Sequence, residues 1–220
     1  MNKLDWYFDF ISPFAYLQLE QFHRLPNNVE INFIPVLFAG LLKHYGHLGP
    51  AEIPEKRRST YRYVHWLAQK LRVPFKFPNG HPFNPLPGLR LAIALENDPE
   101  VILTIFRFIW ANGLLPNKEA NWHKLCGILR IERGTHLIEQ QDVKDRLRIN
   151  TERAINAGVF GVPTFVVNGE IFWGLDATDF LLDYLRDPAT LESHEMQRIS
   201  NLPKPSPRPV KPDAVSKTAK

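Results

Sequence analysis

The stretch that decides the fold is YFDFISPFAYL, residues 7–17. The aromatic, apolar run at 6–10 predicts a buried β-strand, and the apolar residues that follow at helical spacing predict an α-helix. Ser12 is a favourable N-cap because its hydroxyl can accept an unpaired backbone N–H, and Pro13 suits the first helical position. Since backbone N–H groups and the positive end of a helix dipole would meet there, the junction predicts a site for an anionic ligand.

The rest of the chain predicts a helical block between two β-rich ends. Residues 29–35 alternate apolar and polar, which predicts a second strand, parallel to the first after a right-handed crossover. Two apolar runs, at 163–167 and 170–173, are joined by Asn-Gly, the strongest short hairpin signal. A last helix is expected to begin at Asp176 or Thr178. The order β-α-β, helices, β-β-α predicts an α/β protein with a thioredoxin fold and a large all-helical insertion.

This order divides the chain into a thioredoxin-like domain at 1–37 and 156–187, a helical insertion at 38–155 and a Pro- and Lys-rich disordered tail at 188–220. The formal charge is +4, and residues 201–220 carry the whole excess, with five basic residues, one acid and five prolines. A basic tail can touch phosphates or an acidic partner, but this composition is typical of a solvated tail. We therefore expect no nucleic-acid binding.

The cysteine and histidine positions argue against an intramolecular disulfide and against a metal site. The single cysteine, Cys126, excludes an intramolecular disulfide, suits a reducing compartment and is expected to be a small core residue. The N-terminus has no signal-peptide pattern, and no apolar run is long enough to span a membrane, so we expect a cytoplasmic protein. His44 and His47 are three residues apart, but no third ligand converges on them, so no metal is expected.

Three segments together carry a family resemblance: FDFISPFAY at 8–16, GVFGVPTF at 158–165 and WGLD at 173–176. In this order, flanking a helical block, they resemble the DsbA-like superfamily. Within it the chain is similar to the 2-hydroxychromene-2-carboxylate isomerases and the related kappa-class glutathione transferases, over roughly residues 3–187. Redox members place Cys-x-x-Cys at the junction, where this chain has Ser12 and Ala15. Disulfide exchange needs a thiolate, so a disulfide oxidoreductase is not expected.

The resemblance implies that glutathione supplies the missing thiol. A free thiol is mostly protonated at neutral pH, and a hydroxyl donor favours its thiolate. Ser12 is therefore the candidate catalytic residue, as a donor to sulfur rather than a nucleophile, since no His–Asp pair is identifiable as its base. The alternative is a plain N-cap. Pro13 and Phe14 complete the first turn of the predicted binding site.

Other binding positions are implied by the family. Val162 and Pro163 resemble its cis-proline pair, whose backbone would pair with the cysteinyl part of glutathione. Asp176 would bind the γ-glutamyl ammonium, beside Leu175 where relatives place a small polar residue, and it can equally be an N-cap. The cofactor-binding positions implied in the middle of the chain are Lys56, near the glutathione carboxylates, and His47, where the family typically has Asn. Either of these two residues can instead be a solvated surface residue.

The implied activity is a glutathione-dependent isomerisation between 2-hydroxychromene-2-carboxylate and trans-o-hydroxybenzylidenepyruvate, or a similar intermediate of aromatic degradation. The small aromatic carboxylate would meet apolar walls, for which Phe14, Phe38 and Trp173 are candidates if they are not core. One alternative is a kappa-like transferase that conjugates glutathione to small electrophiles. Another is a glutathione- or ligand-binding protein without turnover, which the unusual His47 and Leu175 would suit. The family also implies a homodimer.

Overall fold

The structure is a computed structural model that describes residues 2–203. Within them, one mixed sheet has the strand order β2-β1-β3-β4. Strand β1 (Asn2–Phe8) pairs in parallel with β2 (Val29–Pro35) and antiparallel with β3 (Thr164–Val167), which pairs with β4 (Glu170–Trp173). The predicted parallel crossover is confirmed. The central strand therefore comes from the stretch that opens the chain.

Helices follow in the predicted order. Helix α1 (Pro13–Leu19) joins β1 to β2, and a 3₁₀ turn (Phe22–Arg24) follows it. The block between β2 and β3 consists of α2 (Phe38–Tyr45), a 3₁₀ turn (Pro50–Glu52), α3 (Pro54–Leu71), α4 (Leu86–Ala94), α5 (Pro99–Trp110), α6 (Glu119–Ile128), α7 (Gly134–Glu139) and α8 (Gln141–Asn156). Helix α9 (Thr178–Arg186) follows the hairpin. The predicted thioredoxin fold with a large helical insertion is confirmed.

Strand β1 is buried on both faces. On one face Trp6 stacks on Phe8, with ring centroids 4.6 Å apart, and both rings pack against Phe106 of α5. On the other face Tyr7 joins a cluster that includes Leu41 of α2 and several aliphatic residues. A central strand covered by helices on both sides has no polar face, which explains its continuous apolar sequence.

The hairpin and the helix starts follow local signals. Asn168 and Gly169 both have positive φ, 52° and 85°, which the two-residue hairpin turn requires and which glycine adopts without a Cβ clash. Asp98 caps α5, accepting the N–H groups of Glu100 and Val101. Helix α6 ends at Ile128, and a separate helix α7 begins at Gly134. The strand expected at 6–10 ends at Phe8 because Asp9 begins the turn into α1.

The chain divides into two compact units, the first ending at Leu182 and the second beginning at Asp183. In the second unit the expected disorder at 188–220 is wrong for its first part, which contains a 3₁₀ turn (Pro188–Leu191) and helix α10 (His194–Ser200). Side chains at 187 and 193 cap these two elements, a local signal that composition does not carry. The remainder of the predicted tail, 204–220, lies outside the described residues. The proposed division into a thioredoxin-like domain and a helical insertion domain stays a prediction.

Across the described residues, no helix combines the length and the apolar character that crossing a membrane requires.

Candidate active site

Ser12 lies where β1 turns into α1, and it is buried. Its hydroxyl accepts the Ala15 N–H at 3.3 Å, which confirms the predicted N-cap, and donates to the Val162 carbonyl at 3.3 Å. Two residues 150 positions apart thus meet through one hydrogen bond. Both bonds are long for a hydroxyl, so a better acceptor placed beside Ser12 can compete for its proton.

The Val162–Pro163 peptide is cis, as the resemblance implied. Within the described part of the chain, the Val162 N–H has no hydrogen-bond partner. Next to this peptide, Trp173 packs over Gly161, where any side chain would collide with the indole, and the ring of Phe160 lies 5.0 Å from that of Trp173. Trp173 is half exposed. Val162, the residue before the cis bond, therefore offers a free backbone N–H beside an accessible aromatic ring.

The loop after β4 carries Leu175 and Asp176 and is tied to the cis peptide. The Gly174 N–H donates to the Pro163 carbonyl at 2.9 Å. Gly174 has φ 92° and the Asp176 carboxylate lies against its Cα, so only glycine fits there. Asp176 is exposed and Leu175 is half-buried, in the turn before α9. The structure thus joins Ser12, Val162, Pro163 and the Asp176 loop into one connected site.

Gln18 of α1 fixes this loop from the opposite side, a role that the sequence analysis did not find. Its buried amide accepts from Trp6 Nε1 at 2.7 Å and donates to the Gly174 carbonyl at 3.0 Å and to Thr178 Oγ1 at 3.1 Å. A glutamine on the buried face of a short apolar helix is the available signal, because buried polar groups are normally paired. Gln18 therefore sets the distance between α1 and the Asp176 loop.

Asp9 is a second residue that the sequence analysis missed. Its carboxylate is fully buried and accepts the Ile11 N–H at 3.0 Å and the Phe38 N–H at 2.9 Å, while its own carbonyl accepts the Ser12 N–H at 3.0 Å. Burial raises the pKa of Asp9 to about 7, against the lowering effect of the two N–H donors. One carboxylate thus caps α2 and shapes the turn that presents Ser12.

The carbonyl groups of the same turn are held by long-range donors. Trp110 Nε1 donates to the Phe10 carbonyl at 2.9 Å, and His81 Nε2 lies 2.9 Å from the Ile11 carbonyl. His81 precedes a cis peptide to Pro82. Because each donor comes from the helical block, that block fixes the backbone on which Ser12 sits.

Phe14 is half-buried at the start of α1, and its ring centroid lies 6.2 Å from that of Tyr63 on α3. Tyr63 is half exposed and stacks on Trp66. Pro13, the first residue of α1, is buried. Phe38 differs from the expected substrate wall, since it packs against the cluster around Tyr7. Phe14 and Trp173 remain the candidate walls.

The structure does not bring His47 and Lys56 into contact with Ser12. His47 lies exposed in the loop after α2, where its N–H donates to the Leu42 carbonyl at 2.9 Å. Lys56 is exposed in the first turn of α3. Among the described residues, neither side chain makes a hydrogen bond or ion pair with Ser12, Val162 or Asp176. Their role in binding stays a prediction.

The protein's own thiol is elsewhere. Cys126 is buried on α6, in contact with Gly134 at the start of α7, and burial raises its pKa. Residues 2–203 contain no group of three His, Cys, Asp or Glu side chains that could hold a metal ion. The junction around Ser12 therefore has polar donors but no nucleophilic sulfur.

Comparison with known proteins agrees with this geometry. Residues 3–186 match the family model of the DSBA-like thioredoxin domain. A 2-hydroxychromene-2-carboxylate isomerase of Sphingobium xenophagum is 28% identical over 194 residues, 84% of this chain and 99% of that protein. Glutathione S-transferase kappa 1 of Rattus norvegicus is 26% identical over 205 residues, 83% of this chain and 89% of the relative. A solved 2-hydroxychromene-2-carboxylate isomerase superposes with a TM-score of 0.73 at 23% identity, covering 88% of this chain and 98% of the other.

Proposed function

The chain belongs to the DSBA-like thioredoxin domain family, and from this premise we propose that it is a glutathione-dependent isomerase. Its substrate would be 2-hydroxychromene-2-carboxylate or a similar small aromatic carboxylate, interconverted with an open-chain benzylidenepyruvate. The observation that carries the proposal is the contact between Ser12 Oγ and the carbonyl of the cis Val162–Pro163 pair. The Ser12 hydroxyl stands at the position where redox relatives have a cysteine. The Val162 backbone that it contacts can pair with a peptide that carries a thiol.

Binding of glutathione uses the free backbone donor. The Val162 N–H has no partner within the described residues and would donate to the carbonyl of the cysteinyl residue, as one strand pairs with another. The Asp176 carboxylate is exposed in the adjoining loop and would bind the γ-glutamyl ammonium. Lys56 and His47 would bind the glutathione carboxylates from α3 and from the loop before it. The backbone contact places the thiol beside Ser12.

Thiolate formation then depends on Ser12. A sulfur placed near Oγ is a charged acceptor, so the hydroxyl turns from the Val162 carbonyl to donate to it. The hydrogen bond favours the charged form and lowers the pKa of the thiol. Helix α1 has only seven residues, so its dipole makes a small contribution that is confined to its first turn. The hydroxyl is thus the main stabilising group that the chain supplies.

The reaction needs no redox change. The ring C–O bond of the cyclic hemiketal first breaks: the hemiketal hydroxyl passes its proton, through water, to the departing phenol oxygen and becomes the carbonyl of the open-chain form. The thiolate then adds to the carbon–carbon double bond conjugated with this carbonyl, forming a C–S bond and shifting the π electrons towards the carbonyl oxygen. The former double bond can now rotate, and loss of the thiolate restores conjugation in the other geometry. The C–S bond breaks as it formed, so glutathione is regenerated. Phe14 and Trp173, both partly exposed beside the junction, would hold the aromatic ring.

A second candidate is a kappa-like transferase, favoured by the similarity to the rat kappa protein. It would use the same thiolate and release a stable conjugate instead of regenerating the thiol. A glutathione- or ligand-binding protein without turnover is the third candidate, because Leu175 stands where the family has a small polar residue and His47 stands where it typically has asparagine. We also propose a homodimer, as the family resemblance implies, and a cytoplasmic location.

Purified protein tests these candidates directly. We expect isomerisation of the chromene substrate only with glutathione present, and loss of turnover in Ser12→Ala. Cys126→Ser is the matched control, since it removes the chain's own thiol and should keep full activity. Steady conjugation of a chloro-nitroarene without isomerisation would instead indicate the transferase. Binding of glutathione without either reaction would indicate the third candidate, and no binding at millimolar glutathione would exclude the isomerase and the transferase.

A further inference from the structure

His81 lies in an aromatic enclosure directly behind the Ser12 turn. Rings of Tyr61, Phe77, Phe83 and Trp110 lie within about 6 Å of its imidazole, from 5.3 to 6.0 Å between centroids. Three polar contacts reach it: Nε2 to the Ile11 carbonyl at 2.9 Å, Nδ1 to the Tyr61 hydroxyl at 2.6 Å, and its own carbonyl to the same hydroxyl at 2.8 Å. The sequence analysis assigned no role to this residue.

Counting protons shows which form of His81 fits this geometry. A carbonyl can only accept, so Nε2 carries the proton donated to Ile11. If the ring is neutral, Nδ1 has no proton, and the single proton of Tyr61 must serve both Nδ1 and the His81 carbonyl. If the ring is an imidazolium, Nδ1 donates to Tyr61, and Tyr61 donates to the carbonyl. Only the charged ring satisfies all three contacts with one proton each.

Burial opposes that charge in the free protein. Burial lowers the pKa of His81, the hydrogen bond to the Ile11 carbonyl raises it, and the charge of Arg57 on α3 lowers it further. Tyr61 is the other titratable group that faces the ring from α3, while Trp110 of α5 and the rings at 77 and 83 do not titrate. On the Ser12 turn, the titratable group is Asp9, whose carboxylate accepts the N–H of Ile11. A new negative charge at the turn would shift this balance towards the imidazolium.

We propose that His81 is a positioning residue that becomes protonated when glutathione thiolate occupies the Ser12 site, and that its charge stabilises the thiolate. This proposal rests on the proposed glutathione function. The thiol gives its proton to water and His81 takes one from water, so the ion pair forms without net proton release. The charged ring donates a stronger hydrogen bond to the Ile11 carbonyl, because a hydrogen bond from a charged donor is about twice as strong as a neutral one. Binding of the glutathione thiolate is thereby coupled to the alignment of Ser12.

Nitrogen NMR of histidine-labelled protein tests the protonation directly. The free protein should show His81 protonated at Nε2 alone, and the glutathione complex should show both ring nitrogens protonated. S-Methylglutathione keeps the peptide contacts but cannot form a thiolate, so its complex should keep the neutral ring. A neutral His81 in a complex whose ultraviolet spectrum shows the thiolate would overturn this inference and leave the proposed function intact. Absence of glutathione binding would overturn both.

Variants measure the size of the effect. His81→Gln keeps a donor for the Ile11 carbonyl without a charge, and we expect the pKa of the bound thiol to rise by about one unit, a tenfold loss of thiolate relative to thiol. His123→Gln, an exposed histidine on α6, is the matched control and should change nothing. Tyr61→Phe keeps the imidazole but removes the acceptor for Nδ1–H, so we expect a smaller rise in the pKa of the bound thiol. This variant serves as the test if His81→Gln does not fold. An unchanged thiol pKa in a folded variant of either residue would overturn the proposal.

Discussion

Two ends of the candidate glutathione site are built in contrasting ways. At the Ser12 end, residues 9–12 are buried or half-buried. Donors from α5 and from the segment before α4 bond backbone carbonyls of the turn, an N–H of α2 bonds the Asp9 carboxylate, and Ser12 bonds the Val162 carbonyl in the segment between α8 and β3. At the other end, His47 and Lys56 are exposed, on a loop and a first helical turn, and only the backbone of His47 is fixed. The Ser12 end therefore has a fixed geometry, whereas the His47 and Lys56 end contributes exposed polar and charged side chains.

Because of this difference, we expect substitutions at the two ends to affect different quantities, the rate of turnover and the affinity for glutathione. A buried network loses a partner completely when one member is removed, while an exposed charge interacts weakly through water. Substitutions at the Ser12 end should therefore change the thiol chemistry or the stability of the fold. Substitutions at the exposed end should change only how tightly glutathione binds.

Ser12→Ala should have the largest effect of the variants at the buried end, a loss of turnover. The variant removes the hydroxyl donor to the sulfur, and loss of one such donor costs about 10²-fold in turnover. Steady-state kinetics at saturating glutathione measure it. Ser59→Ala, an exposed serine on α3, is the matched control. Equal kcat values for Ser12→Ala and the wild type would show that the hydroxyl is only a helix cap.

Asp9 gives the buried end a pH dependence. Its pKa is about 7 in the native protein and 3.8 in an exposed carboxyl group. Between these values the native state keeps a proton that the unfolded chain has lost, so the free energy of unfolding falls as pH rises through this window and is flat on either side. The fall in the Asp9 contribution should reach about 4 kcal/mol.

Urea unfolding across this pH range measures the Asp9 effect. Asp9→Asn cannot ionise and should lose this part of the slope, although one of the two backbone N–H groups also loses its acceptor. Asp142→Asn, an exposed carboxylate on α8, should keep the wild-type slope. Parallel curves for the wild type and Asp9→Asn would contradict the assignment.

Gln18→Leu should loosen the connection between α1 and the Asp176 loop. It leaves Trp6 Nε1 without an acceptor and the Gly174 carbonyl without this donor, at a cost of about 2 kcal/mol in the free energy of unfolding. Because the loop also carries Asp176, the affinity for glutathione should fall several-fold. Chemical denaturation and calorimetric titration check the two effects. The exposed Gln69→Leu serves as control, and comparable stability of the two variants would refute the role of Gln18.

The smallest effect is expected at the exposed end. Lys56→Ala should raise the KM for glutathione by less than about tenfold with kcat unchanged, since an exposed ion pair contributes at most about 1 kcal/mol. Lys70→Ala, which removes another exposed lysine of the same helix, should leave KM unchanged. A large fall in kcat for Lys56→Ala would mean that the two ends do not differ as described.

The same contrast explains what the sequence could predict. The Ser12 cap and the Asn-Gly hairpin depend on neighbours a few residues away, so the local sequence pattern was enough to predict them. The cis Val162–Pro163 pair followed from a family resemblance. Asp9, Gln18 and His81 could not be found this way, because their partners lie 29, 156 and 70 residues away. Only the folded chain shows that these polar side chains converge on one turn.

The pKa of the glutathione thiol in the bound state is the most direct test of a site that stabilises a borrowed thiolate. Ultraviolet absorbance of the thiolate, followed across a pH titration of the complex, gives this value without any substrate. In the wild type the pKa should lie at least about one unit below the ordinary value near 8.5, and in Ser12→Ala it should return towards that value. A bound thiol that titrates as free glutathione does in the wild-type protein would contradict the account.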